Sequence, residues 1–442
     1  MTSTRSVLRH ALELVQPSKD EETRLGELAE FLIARTRAAA SRHANVKDVM
    51  IGGSFAKGTW LPGHVDIDVF VRFDPATPEQ EFERVGLAVG AEATRGFPKG
   101  KKYAQHPYIE ATVRGVKVNV VPCYAVEERK WKSAADRSPF HVKLVEGLPP
   151  KQKMQVRLLK RFMRGIGVYG AEIEVQGFSG YAAEALVMLD GDLEGVLKHF
   201  AGLKREGDGV LLTLPDPVDP SRDLAKAISN ESVGRMVLAS REFLRRPAPS
   251  FFGEMTEPRR PKMMDRVVAV VFTHPRLSED TLWGELRRTL KHVAKAVEDR
   301  GFRIARATSA SNNSDSSAFL FLPEFDSLPV LEQRLGPTVD RRKETEAFMA
   351  ANWRRANLVW VDGDARVRIL QPRRYTDLPK LLEDIASGRL GHVGASDEVG
   401  RAMAKKARVL KNGALRRSAA SRGWLKSAIL EIASDTFGTR PA

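Results

Sequence analysis

Gly52-Gly53-Ser54-Phe55-Ala56-Lys57-Gly58-Thr59-Trp60, running on to Asp66-Ile67-Asp68-Val69-Phe70, is the stretch from which this chain is read. The apolar run Val49-Met50-Ile51 before it predicts a strand. Gly52 and Gly53 then let the backbone turn, and Ser54 opens a short helical turn. Backbone N–H groups at such a turn can hold phosphate oxygens. The second part predicts another strand, with Asp66 and Asp68 on one face and Val65, Ile67 and Val69 on the other. Two adjacent carboxylates repel each other and call for a cation between them. Hard oxygen ligands beside a phosphate turn point to Mg²⁺. A Gly-Ser pair alone, or an Asp-x-Asp alone, is a weak signal. Their order and spacing together resemble the signature of the polymerase-β-like nucleotidyltransferases.

The 442 residues suffice for two to four domains. Hydrophobic content of 42% and charged content of 29% suit a globular protein. No run of about 18 apolar residues predicts a membrane span, and Met1 to Arg9 lacks a signal-peptide core. One cysteine, Cys123, excludes an intrachain disulfide and a multi-cysteine zinc site. These features fit a cytoplasmic protein. A net charge of +15 and a pI near 9.8 favour a polyanionic partner. Aromatics make up only 7%, so backbone and shape recognition is expected over base stacking.

Outward from the first stretch, residues 5–16 and 20–42 read as helices, the second capped by Ser18 or Asp20. Strands are predicted at 47–51 and 65–73, and a helix around 85–89. Tyr108 to Val113 and Val116 to Val121 alternate about Arg114-Gly115, a β-hairpin. From Gln152 to Arg246 the pattern is helical, interrupted by an extended, rigid insertion at 215–220. The Pro-rich segment 246–261 reads as a linker or domain border. Beyond it, strand 267–272, helix 280–300 and strands 302–307 and 318–322 give a βαββ order of RRM-like or ferredoxin-like type. Residues 309–317 read as a polar loop. Residues 331–351 read as helical with an interruption at Gly336-Pro337, and 358–361 with 365–370 as a second hairpin. Nine Lys or Arg and no acid lie between Arg401 and Lys426. Met403, Ala407, Leu410 and Leu415 suggest one amphipathic helix there. Lys405, Lys406 and Arg408 are either a solvated face or a contact to an RNA backbone.

The chain resembles the archaeal-type (class I) CCA-adding enzymes, a family of tRNA nucleotidyltransferases. The resemblance runs in order through GGSFAKGTWLPGHVDIDVF, AQHPYIEATVRGVKVNVVPCY, SAADRSPFH, QVRLLKRFMRGIGVYGAE, GFSGY, PDPVDP and Gly234-Arg235-Met236-Val237. It is strong over residues 1–250 and weaker beyond, through Leu335-Gly336-Pro337. It implies an α+β chain with a nucleotidyltransferase head (1–145), a helical nucleotide-binding neck (146–255) and a tRNA-binding part (256–442) made of an RRM/ferredoxin-like body and a mixed tail. It also implies template-free addition of C, C and A to the tRNA 3′ end from CTP and ATP. Asp66, Asp68 and position 119 would be the metal ligands of a two-metal Mg²⁺ site. Ser54 and Lys57 fall where the family holds the triphosphate, with Lys57 where arginine is common. His141, Lys160, Tyr169 and Ser179 would line the nucleotide, and Arg235 would help read the base. A homodimer is compatible with the resemblance, and the sequence leaves the oligomeric state open.

One departure stands out. The family reads V-x-V-D-V-V-P-C-Y, and this chain reads Val116-Lys117-Val118-Asn119-Val120-Val121-Pro122-Cys123-Tyr124. The third acid has become Asn119, a neutral and poorer ligand. The chain is then inactive, slower, or supplied with another acid, and the hairpin places Glu110 opposite Asn119. The readings beside CCA addition are a catalytically weakened tRNA-binding homologue and another RNA 3′ nucleotidyltransferase such as a poly(A) polymerase.

Overall fold

A computed structural model describes residues 4–205, 212–253, 263–390 and 394–434. The chain divides into two compact units, residues 1–256 and 257–438.

The first unit opens with α1 (Thr4–Val15) and α2 (Lys19–Ala40). Ser18 caps α2, its Oγ accepting from Glu21 N at 3.1 Å. Then come β1 (Val46–Gly52), the single turn α3 (Gly53–Lys57), β2 (Asp66–Phe73), α4 (Glu79–Ala93), β3 (Lys99–Tyr103), β4 (Pro107–Val113), β5 (Val116–Tyr124) and α5 (Ser138–Glu146). The strands form one sheet in the order β1-β2-β5-β4-β3. β2 pairs parallel with β5, and the other neighbours are antiparallel. Arg114 and Gly115 both take positive φ (50° and 81°), the two-residue turn that matches strand twist and sets the hairpin register. Ile67, Val69, Val118 and Val120 pack against Leu25, Leu28, Leu32, Phe82 and Val85 of α2 and α4. Alternation therefore turns Asp66, Asp68 and Asn119 to the opposite face. β3 was not anticipated: Lys99–Tyr103 has one partly buried residue and no apolar alternation, so only pairing with β4 makes it a strand.

Among the described residues, α6 (Pro150–Gly165), α7 (Gly180–Asp190), α8 (Leu193–Gly202) and α9 (Asn230–Arg245) complete this unit. One sequence expectation changes here in part. Part of the presumed linker, residues 246–253, is packed structure. Phe251 and Phe252 are buried with Phe162 and Phe243, ring centroids 5.4–5.7 Å apart. The remainder of that stretch, 254–261, lies outside the described residues. The 215–220 insertion is anchored, because Pro215 bridges Asp223 and Asp216 is fully buried.

The second unit contains β6 (Val268–Thr273), α10 (Glu279–Glu298), β7 (Ile304–Ser311), β8 (Ser316–Pro323), β9 (Leu331–Thr338), α11 (Arg342–Asn352), β10 (Leu358–Val361), β11 (Arg366–Pro372), α12 (Leu378–Ala386), α13 (Asp397–Lys406), β12 (Arg408–Lys411), α14 (Asn412–Ala420) and α15 (Gly423–Ala433). Its main sheet runs β12-β6-β8-β7. β6 and β7 are joined through α10 with β8 between them, the split βαβ of a ferredoxin-like body. β10-β11-β9 form a separate sheet.

Three expectations fail in this unit. Residues 331–338 are strand, not helix. Leu331 and Leu335 are exposed at helical spacing, but pairing with β11 satisfies the backbone instead. The 401–426 segment is not one amphipathic helix. Ala407 is extended (ψ 142°), and β12 adds to the edge of β6. Most of the 309–317 loop is strand, with a tight turn over 312–315. No helix among the described residues is long and apolar enough to cross a membrane.

Candidate active site

Three strands of the first unit bring the charged face together. Asp68 lies beside Asn119 and Asp66 beside Lys117 in the β2–β5 register, and Asn119 faces Glu110 in the hairpin. Asn119 Nδ2 donates to Asp68 Oδ1 at 2.9 Å. Burial pushes the Asp68 carboxyl up. The Asn119 amide pulls it back, and neighbouring Asp66 adds to the rise. Asn119 Oδ1 is buried and has no hydrogen-bond partner. Gly53, at φ +66°, closes against Asp68, and a Cβ there would collide with Asp68 Oδ2. Two acidic side chains and an unpaired amide oxygen on one face are the kinds of hard oxygen donor that a divalent cation takes. The residues fit such an ion, with Asn119 contributing no charge.

The turn α3 is only five residues long, so its dipole is small. Its lysine points elsewhere. Lys57 Nζ is 2.8 Å from Glu184 Oε2, and Lys160 Nζ is 3.0 Å from Glu184 Oε1. Thr59 Oγ1 donates to the same Glu184 oxygen. Burial alone would raise the Glu184 carboxyl, but Lys160 and Lys57 outweigh it and hold it well below the usual range. Glu184 was missed in the sequence. Its signal was a lone acid inside the apolar run Tyr181 to Leu189.

A second buried carboxylate, Asp216, organises a neighbouring cluster. His141 Nε2 lies 3.2 Å from Asp216 Oδ2, and its ring stacks on Tyr181 with centroids 3.6 Å apart. The Tyr181 hydroxyl donates to Asp216 Oδ1 at 2.9 Å. Burial lowers the His141 pKa more than Asp216 raises it, so the ring is neutral at pH 7. Burial would raise the Asp216 carboxyl, but hydrogen bonds from His141, the Val218 N–H and the Tyr181 hydroxyl hold it well below the usual range. Asp216 and Tyr181 were quoted within PDPVDP and GFSGY without a role. Lys57 connects the two clusters, sitting 5.0 Å from the Tyr181 ring and acting electrostatically on both Asp68 and His141.

The remaining residues of the expected site are placed as follows. Tyr169 pairs with Phe178 in an isolated bridge, and burial, Glu184 and Asp66 raise its pKa. Ser179 caps α7, its Oγ accepting from Ala182 N at 3.0 Å. Ser54 stands in α3 with its carbonyl accepting from Thr59 N. Arg235, on α9, donates to Glu231 at 2.6 Å and is therefore not an uncommitted cation. In the second unit, Lys405, Lys406 and Arg408 line a cavity of about 730 Å³ together with Arg422, and among the described residues no acid lines it.

A strand pair carrying acids beside a Gly-Ser turn defines the class: this is a nucleotidyltransferase of the polymerase-β-like type. Residues 33–141 match the nucleotidyltransferase domain family, 154–253 the second domain of tRNA nucleotidyltransferase, and 265–412 the C-terminal domain of CCA-adding enzyme. The CCA-adding enzyme of Methanothermobacter thermautotrophicus is 34% identical, over 87% of this chain and 90% of its own. That of Pyrobaculum neutrophilum is 35% identical, over 86% and 92%. That of Halorubrum lacusprofundi is 33% identical, over 88% and 91%. The chain belongs to the CCA-adding enzyme family.

Proposed function

We propose that this protein adds CCA to the 3′ end of tRNA from CTP and ATP without a nucleic-acid template. The observation that carries this reading is Lys57, which acts electrostatically on Asp68 and shares Glu184 with Lys160, in one unit of a chain from this family. Enzymes of this fold work with a divalent metal, which supplies charge neutralisation at the triphosphate and a lower pKa for the attacking hydroxyl. Asp66 and Asp68, with the neutral Asn119 beside them, would hold Mg²⁺ in a two-metal site, and the metal would supply that charge neutralisation. Lys57 and Lys160 give two positive charges against one carboxylate, leaving a surplus for the triphosphate. Ser54, Tyr169, Ser179 and the neutral His141, flat against Tyr181, border the nucleotide, and Arg235 reads its base. The 3′-hydroxyl of the tRNA attacks the α-phosphorus in line and pyrophosphate leaves; the residues contribute position and charge. Lys405, Lys406 and Arg408 meet the RNA backbone.

The test is incubation of tRNA lacking its 3′ end with labelled CTP and ATP. Addition that stops after CCA supports the reading. Continued A addition would indicate a poly(A) polymerase. tRNA binding without addition would indicate a weakened homologue, the reading that Asn119 favours.

A further inference from the structure

The amide at position 119 leaves the charged face one carboxylate short of its family pattern, and the neighbouring strand carries a replacement. Glu110 lies directly across from Asn119 in the antiparallel β4–β5 pair. Directly opposed residues share a face with Cβ atoms about 5 Å apart. Glu110 is one methylene longer than aspartate, which suits a ligand reaching in from the next strand. Its carboxylate already belongs to the charge network of the site. Lys117 Nζ lies 3.3 Å from Asp66 Oδ2 and 3.8 Å from Glu110 Oε2, so one ammonium spans both acids. Lys102 touches Glu110 from the far side at 3.7 Å. The acids do not converge on one point in this state, because Lys117 stands between Asp66 and Glu110. Lys117 is half exposed (49%), so it can leave toward solvent at little cost.

We propose that Glu110 is the third carboxylate of the metal site, standing in for the acid absent at 119, and that Lys117 is the resident counter-ion that the metal displaces. This rests on the metal-site reading of Asp66 and Asp68 given above. Three acids set around one cation restore the charge that the amide removed. The Asn119 amide meanwhile orients Asp68 through Nδ2 and keeps Oδ1 available as a neutral donor.

The experiment is titration of the full chain with Mn²⁺ alone, free Mn²⁺ being read by electron paramagnetic resonance. Glu110→Gln should weaken Mn²⁺ binding by about tenfold or more. Adding Asn119→Asp to that variant should return the affinity to within about threefold of the parent, since a carboxylate is again supplied from β5. Lys117→Gln should tighten binding by about threefold, the size of a half-exposed ion-pair effect. Asp68→Asn is the control for the parent reading. If it leaves Mn²⁺ binding intact, the metal site itself is misplaced. If it abolishes binding while Glu110→Gln stays within about twofold of the parent, the Glu110 assignment alone is overturned. Unchanged or weaker binding in Lys117→Gln would overturn the counter-ion role. Glu110 pairs with the partly exposed Lys102 and Lys117, and an unshifted thermal midpoint will confirm that its variant is folded.

Discussion

Glu184→Gln isolates the buried junction between α3 and the helices α6 and α7. The substitution keeps shape and removes one negative charge from between two ammonium groups. Breaking a buried pair by removing one partner costs about 3–5 kcal/mol. Here the orphaned cations keep some company. Lys160 still reaches the Thr59 carbonyl and hydroxyl at 3.1 Å each, and Lys57 still faces the Tyr181 ring at 5.0 Å. The loss should therefore fall at the lower end, about 3 kcal/mol. With a urea slope of roughly 2–3 kcal/mol per molar, the midpoint should drop by about 1 M or more. Circular dichroism in urea measures that shift, and hydrogen exchange across α3 and α7 locates it. Saturating CTP provides a second reading. If the two lysines hold the triphosphate, its charge replaces the missing carboxylate, so CTP should stabilise the variant more than the parent. A midpoint within about 0.3 M of the parent would refute the clamp. An equal CTP effect on both proteins would refute the triphosphate role of the lysines. Acid should mimic the variant. The Glu184 carboxyl is depressed in the folded state, so its contribution is present above its ordinary value of 4.5 and is lost as pH falls toward about 2.

Other outcomes follow from the same geometry. Asp66→Ala or Asp68→Ala should abolish nucleotide addition while leaving tRNA affinity nearly unchanged, measured by primer extension and filter binding; a variant that keeps its rate would remove these residues from the site. Neutralising Lys405, Lys406 and Arg408 together should weaken tRNA binding and reduce its log–log salt slope by roughly one per lost phosphate contact. An unchanged slope would make the cavity a solvated face. His141 is held below its usual pKa by burial, so its contribution to stability is present above pH about 6.5 and is lost as pH falls below it. The stability lost between pH 7 and pH 5 should accordingly be smaller in His141→Gln, by calorimetry.

Local pattern was enough for what depends on local geometry. The period of two in Asp66 to Phe70 sorted acids from core, and the Arg114-Gly115 turn locked the register that puts Glu110 across from Asn119. A two-residue turn leaves that hairpin no freedom to slip, which is why counting along the chain sufficed. The cap at Ser18 and the split βαβ of the second unit were legible for the same reason. Partners far apart in sequence were not. Lys57, Lys160 and Glu184 come from three elements, and no spacing rule says that two lysines expected beside a nucleotide share one buried carboxylate. β3, β9 and β12 carry weak or misleading periodicity, and each is a strand because a neighbour offers unpaired backbone groups. Hydrogen bonding to that edge outweighs the few tenths of a kcal/mol per residue that propensity contributes. The residues that can do chemistry were therefore readable one by one, while the carboxylates that hold them in place were decided by tertiary packing, because burial forces every charge to find a partner.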